Sequence, residues 1–157
     1  MFFKKKENEI ENSYLIKVCA LLIHAAKIDE NFTVHEEEII KKTLLELGSS
    51  QEDLSKTIKE AKIIEENSNQ ILDFTREVKN LSENNKIKII EALWSIIYSN
   101  KDADIYEANL MRRLAGLLYI DNKTMGDIKN KIQKEKITSE FNSRISLDCT
   151  RNFKYRN

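Results

Sequence analysis

A chain of 157 residues is long enough to form one domain with its own buried core, without disulfide or metal staples. Lysine plus arginine equals aspartate plus glutamate at 26 each, which excludes a whole-molecule field for nucleic acid or an anionic membrane and leaves only local patches for such partners. Two cysteines, Cys19 in an apolar run and Cys149 in a polar stretch, exclude a disulfide framework and suit a reducing, cytoplasmic compartment.

With no proline and only three glycines to interrupt it, the chain favours long helices. Residues 1–8, "MFFKKKEN", form a basic and aromatic lead without the apolar core and cleavage site of a signal peptide. A first helix is predicted over 9–27, where Ile10, Tyr14, Val18, Leu22 and Ala25 share one face. Its run "VCALLIHAA", like the later "LWSIIY", is far shorter than the roughly 20 apolar residues of a membrane span. Cys19 and His24 read here as core and helix-packing residues. Thr33 with Glu36 opens a second helix over 35–47, and Gly48 is placed to close it in the left-handed region. Ser50 with Asp53 opens a third, over 51–66. A fourth, over 69–80, carries Ile71, Phe74, Val78 and Leu81.

Ser82 precedes a fifth helix over 83–99, whose face is Ile87, Ile90, Trp94 and Ile97. Asp104 with Glu107 opens a sixth, over 105–118, with Leu110, Leu114 and Leu117 inward and Arg112 and Arg113 outward. Asp121 precedes a seventh over 122–135, on which Met125, Ile128 and Ile132 recur. The helical domain is thus expected over 9–137. Residues 138–157 lose the periodicity and gain Asn, Ser and Arg, as a flexible basic tail would. The expected fold is all-α: about seven helices in two pseudo-repeated helical hairpin halves, forming a compact bundle around Leu22, Leu44, Phe74, Leu93, Trp94 and Leu114.

One pattern occurs twice. Asp29-x-Asn31-x-Thr33-x-x-Glu36 and Asn100-x-Asp102-x-Asp104-x-x-Glu107 place oxygen-bearing side chains at the same offsets before the second and sixth helices. The capping box, in which a Thr or Asp and a Glu three residues later satisfy free amides, accounts for Thr33, Glu36, Asp104 and Glu107. It leaves Asp29, Asn31, Asn100 and Asp102 unexplained. Spaced by two in a tight loop, these could share a point with the Glu of the following turn, a hard-oxygen arrangement that suits Ca²⁺ or Mg²⁺. The candidate cation ligands are therefore Asp29, Asn31, Glu36, Asn100, Asp102, Asp104 and Glu107. The loops are not EF-hands. Counted from Asn100, the sixth position is Ile105 where glycine is required, and the twelfth is Met111 where a bidentate Glu is required.

The stretches "HAAKIDENFTVHEEEIIKKTLLEL" and "EALWSIIYSNKDADIYEANLMRRLAGLL" resemble the bacterial TerB-like tellurite-resistance domains, whose fold is shared with the N-terminal domain of DjlA co-chaperones. That family pairs two apolar helices across a loop A-D-G-x-x-D-x-x-E, often in two copies. Asp29, Thr33 and Glu36 stand on its acidic positions in the first copy, and Asn100, Asp104 and Glu107 in the second. "DFTREVKNL" is similar to the connecting helix of a stand-alone subgroup. The loop glycine is replaced by Glu30 and Lys101, and acids have become Thr33 and Asn100, substitutions that lower the charge available to a cation. The resemblance implies a non-catalytic helical module of a tellurite-resistance or stress response, acting through protein partners and binding a divalent cation at the loops.

Other chemistry finds little support. His24 and His35 have no partner at helical metal-site spacing, and no G-x-S-x-G, C-x-x-C or glycine-rich phosphate loop occurs. An enzyme is not expected. A different class of function, a peripheral adaptor, would use "FFKKK" and "RNFKYRN", whose basic and aromatic residues suit anionic lipid headgroups or nucleic-acid bases.

Overall fold

A computed structural model of the chain describes residues 2–29, 33–68, 71–100 and 105–154, with side chains for these except 2–12, 29, 72, 77, 100, 105–107 and 146–154. Its helices are α1 (Phe2–Ala26), α2 (Val34–Glu46), α3 (Gln51–Asn67), α4 (Leu72–Val78), α5 (Glu83–Asn100), α6 (Ile105–Leu117) and α7 (Asn122–Lys154), with a 3-10 turn at Lys27–Asp29. No strand occurs among the described residues. All seven expected helices are present, and α2, α3, α5 and α6 begin and end within about a residue of the sequence reading.

The outermost boundaries differ. The lead expected over 1–8 is helical from Phe2, and the segment expected to leave the helical pattern at 138 instead continues α7 to Lys154. Loss of an inward-facing stripe does not end a helix when the chain supplies no breaker. No glycine or proline follows Gly126, and Glu, Lys, Arg, Ile and Phe all tolerate helical backbone. α4 is shorter than expected, at seven residues.

α1 is the centre of the bundle. Six consecutive residues, Val18 to Ile23, are fully buried, so more than a whole turn is enclosed on every side. α2, α3, α4 and α5 all pack against it, and α5 also touches α2 and α7. α1 lies along α3 as α5 lies along α7. Leu22, Leu44, Phe74, Leu93, Trp94 and Leu114 are all buried, as their periodic spacing predicts. The Trp94 ring stacks on Tyr98 at 5.8 Å and carries Lys129 Nζ 5.5 Å from its centroid. Its Nε1–H is buried, with no hydrogen-bond acceptor among the described residues.

α2 and α6 end alike. Ser49 N–H donates to Leu44 O and Gly48 N–H to Leu45 O, while Ile120 N–H donates to Ala115 O and Tyr119 N–H to Gly116 O. Both are Schellman motifs, with the residue after the cap in the left-handed region: Gly48 at φ 109 and Tyr119 at φ 56. Each end also receives side-chain donors. Tyr14 Oη–H reaches Leu47 O at 2.9 Å, and Lys86 Nζ reaches Leu118 O at 3.1 Å.

Candidate functional site

The first loop is held from both sides by elements that the sequence places far apart. On the leading side, Lys27 follows the last residue of α1, and its ammonium donates to Glu65 Oε2 at 2.7 Å near the end of α3. His24 Nδ1 lies 3.4 Å from the other oxygen of the same carboxylate, and its ring leans on Phe74 at 6.2 Å. The Glu65 side chain is only 10% exposed, so two cationic or dipolar partners meet it out of bulk water. This places His24 as a helix-packing residue, partly exposed at its edge.

On the trailing side the capping box is complete. Glu36 N–H donates to Thr33 Oγ1 at 3.3 Å, and Thr33 N–H donates to Glu36 Oε2 at 3.2 Å. Unlike the exposed Glu of most such boxes, Glu36 is fully buried. Removing a carboxylate from water is costly, and here the α2 N-terminus, with its free amides and positive dipole end, offsets that cost. The other oxygen points across the molecule: Glu36 Oε1 lies 3.4 Å from Ser99 Oγ, on the penultimate residue of α5. Ser99 has one proton, and Ile96 O at 2.6 Å holds it more closely, so the contact marks a close approach more than a strong bond. Its consequence is positional. Ser99 directly precedes Asn100, so the cap of the first loop touches the last turn of α5.

At the second loop the described backbone gives the helix start alone. α6 begins at Ile105, so Glu107 is its third residue, the position Glu36 occupies in α2. Asp29 ends the 3-10 turn and Asn100 ends α5. Of the seven candidate ligands, Glu36 has a described side chain. Asn31, Asp102 and Asp104 lie outside the described residues, as do the side chains of Asp29, Asn100 and Glu107. Among the described residues, no group of three or more His, Cys, Asp or Glu side chains could hold a metal ion. Glu36 itself faces inward and is engaged by its cap, so it fits an anchoring part better than that of an exposed ligand. A cation would then rely on the residues before the caps.

Two of the surface grooves bear on catalysis. One of about 520 Å³, between α2 and α3, is lined by Glu37, Lys41, Glu52, Lys56, Lys59 and Lys62. Another, of about 260 Å³, lies beside Tyr119 and includes Glu83, Lys86 and Asp121. None of these ionisable side chains is buried, so neither groove supplies the desolvated acid or base that acid–base chemistry requires. No described helix is long and apolar enough to cross a membrane. Arg112 and Arg113 are exposed, as their place on α6 predicts. The side chains of "FFKKK" and "RNFKYRN" lie outside those described.

Sequence reasoning missed Glu65 and Ser99. Neither belongs to the repeated pattern, and what signals them is proximity created by packing. Ser99 does stand immediately before the second motif, but nothing in its spacing points to Glu36.

No curated protein and no solved structure matches the chain. The family model described as tellurite resistance protein TerB matches residues 15–130, a span that runs from the buried stretch of α1 through both loops into the packed part of α7. With its all-helical described residues, the capping box that opens α2 and this match over most of its length, the chain belongs to the TerB family.

Proposed function

We propose that this TerB-family chain is a non-catalytic module of a tellurite-resistance or stress response, that it works in the cytoplasm by contact with other proteins, and that its two loop segments hold a divalent cation. The observation that supports the reading is the approach of Glu36 to Ser99, which sets the cap of the first loop beside the last turn of α5, where the second loop departs. A surface assembled from two acid- and amide-bearing segments can gather hard oxygen ligands that neither segment supplies alone. A bound Ca²⁺ or Mg²⁺ would supply positive charge there and lessen repulsion between carboxylates, thereby changing the potential that a partner meets. Asp29 and Asp102 would provide the anionic ligands, with Asn31 and Asn100 as neutral ones, while the caps fix the loops to α2 and α6.

The test is calorimetric titration of the whole chain with Ca²⁺ and Mg²⁺, beside Asp29→Ala/Asp102→Ala. Saturable heat in the wild type, lost in the double variant, is the expected result. A cation present at a hundred times its Kd should also stabilise the fold by about 2.7 kcal/mol, read as a rise in Tm. Flat wild-type traces with both metals would leave the loops as helix caps alone.

A further inference from the structure

α7 is longer than the bundle can use. Its 33 residues span about 50 Å, yet among its described side chains the buried ones are Met125, Ile128 and Ile132, on the side that packs with α5. From Gln133 to Ile145 every residue is exposed except Lys136, which is half-buried. Within that stretch Ile137, Phe141 and Ile145 are 60%, 62% and 45% exposed. Spaced four apart, they form one apolar stripe. At about 100° per residue the stripe lies nearly opposite the face that carries Met125, Ile128 and Ile132, so α5 cannot cover it. Most of a helix's stability in water comes from packing an apolar face, and this stretch has no covering element among the described residues.

The order of residues along the stripe says what fits it. Phe141 is the midpoint: Ile137 and Ile145 lie four residues to either side, and Lys134 and Asp148 seven to either side. The pattern is symmetric in its apolar members and antisymmetric in its charges. Glu140 and Arg144 share one flank. In an antiparallel pair related by a two-fold axis at Phe141, like flanks face each other. Phe141 would meet Phe141, Ile137 would meet Ile145 and Lys134 would meet the position of Asp148, while Glu140, two residues out of exact register with Arg144 and so about 3 Å from it along the axis, would lie within side-chain reach of it on the same flank. A parallel pair would instead stack Lys134 on Lys134 and Asp148 on Asp148. We propose that this stripe is a self-complementary seam through which two copies of the chain associate, α7 against α7, antiparallel.

Sedimentation velocity of the full chain across a wide concentration range should show a reversible monomer–dimer equilibrium. Phe141→Asp should leave a monomer whose bundle stays folded, since the residue lies outside the core. Glu140→Arg and Arg144→Glu should each weaken the dimer, because each faces like charge with like across the axis. An equimolar mixture of these two variants should recover it: the arginine introduced in one copy then meets the glutamate introduced in the other, and the remaining native Arg144 and Glu140 meet as before. A wild type that stays monomeric throughout, a dimer indifferent to Phe141→Asp, or a mixture no better than its components would overturn the proposal.

Discussion

Cys19 shows what the crowded middle of α1 does to an ionisable group. Burial pushes its thiol from 9.0 up to about 12, against a smaller opposing pull from the Lys62 charge. In the unfolded chain the thiol loses its proton near its ordinary value, while in the fold it stays neutral to far higher pH. The unfolded state therefore gains from ionisation first as pH rises. The neutral thiol's contribution is fully present below about pH 9 and is lost between there and pH 12. Urea unfolding above pH 9 should thus show the wild type losing about 1.4 kcal/mol per pH unit relative to Cys19→Ala; parallel curves for the two proteins would contradict this. Glu36 poses the opposite problem, an acid buried at a helix start. Truncating it in Glu36→Ala removes a cap bond and leaves a hole beneath α2, which should cost about 2–3 kcal/mol in chemical denaturation. Glu36→Gln keeps the volume and one acceptor oxygen, and should lose about half as much or less. Equal stabilities for wild type and Glu36→Ala would mean that the buried cap holds nothing.

At the level of helices, the paired stops of α2 and α6 differ in one respect: Gly48 occupies the left-handed position in one, and Tyr119 in the other. A side chain there costs roughly 1 kcal/mol relative to glycine. Tyr119 is 77% exposed and has little packing to lose. Tyr119→Gly should therefore stabilise the chain by about 0.5–1 kcal/mol, and Gly48→Ala should destabilise it by a similar amount, both read from denaturation midpoints. A destabilised Tyr119→Gly would show instead that the ring contributes through contacts in the groove beside it. The glycine stop was legible in the sequence because Gly48 follows "LLEL". The tyrosine stop was not, since a residue that rarely adopts this backbone gives no sign that it will.

Across the molecule, what could be read beforehand was what depends on local spacing. Periodic apolar residues gave seven helices and the six named core side chains, and the Thr33–Glu36 pair gave a complete capping box. What escaped was set by contacts between distant segments, such as Glu65 beneath Lys27 and His24, and Ser99 beside Glu36. The far half of α7 escaped for another reason: its stripe of Ile137, Phe141 and Ile145 is turned away from the inward face on which the periodicity was counted. The enclosure of Val18 to Ile23 also has a bearing on biosynthesis. That stretch leaves the ribosome before α2, α3, α4 and α5, the helices that pack against α1, so it emerges apolar and unshielded. Until α5 has been made, the nascent chain exposes this apolar stretch, the condition under which folding intermediates are prone to aggregate.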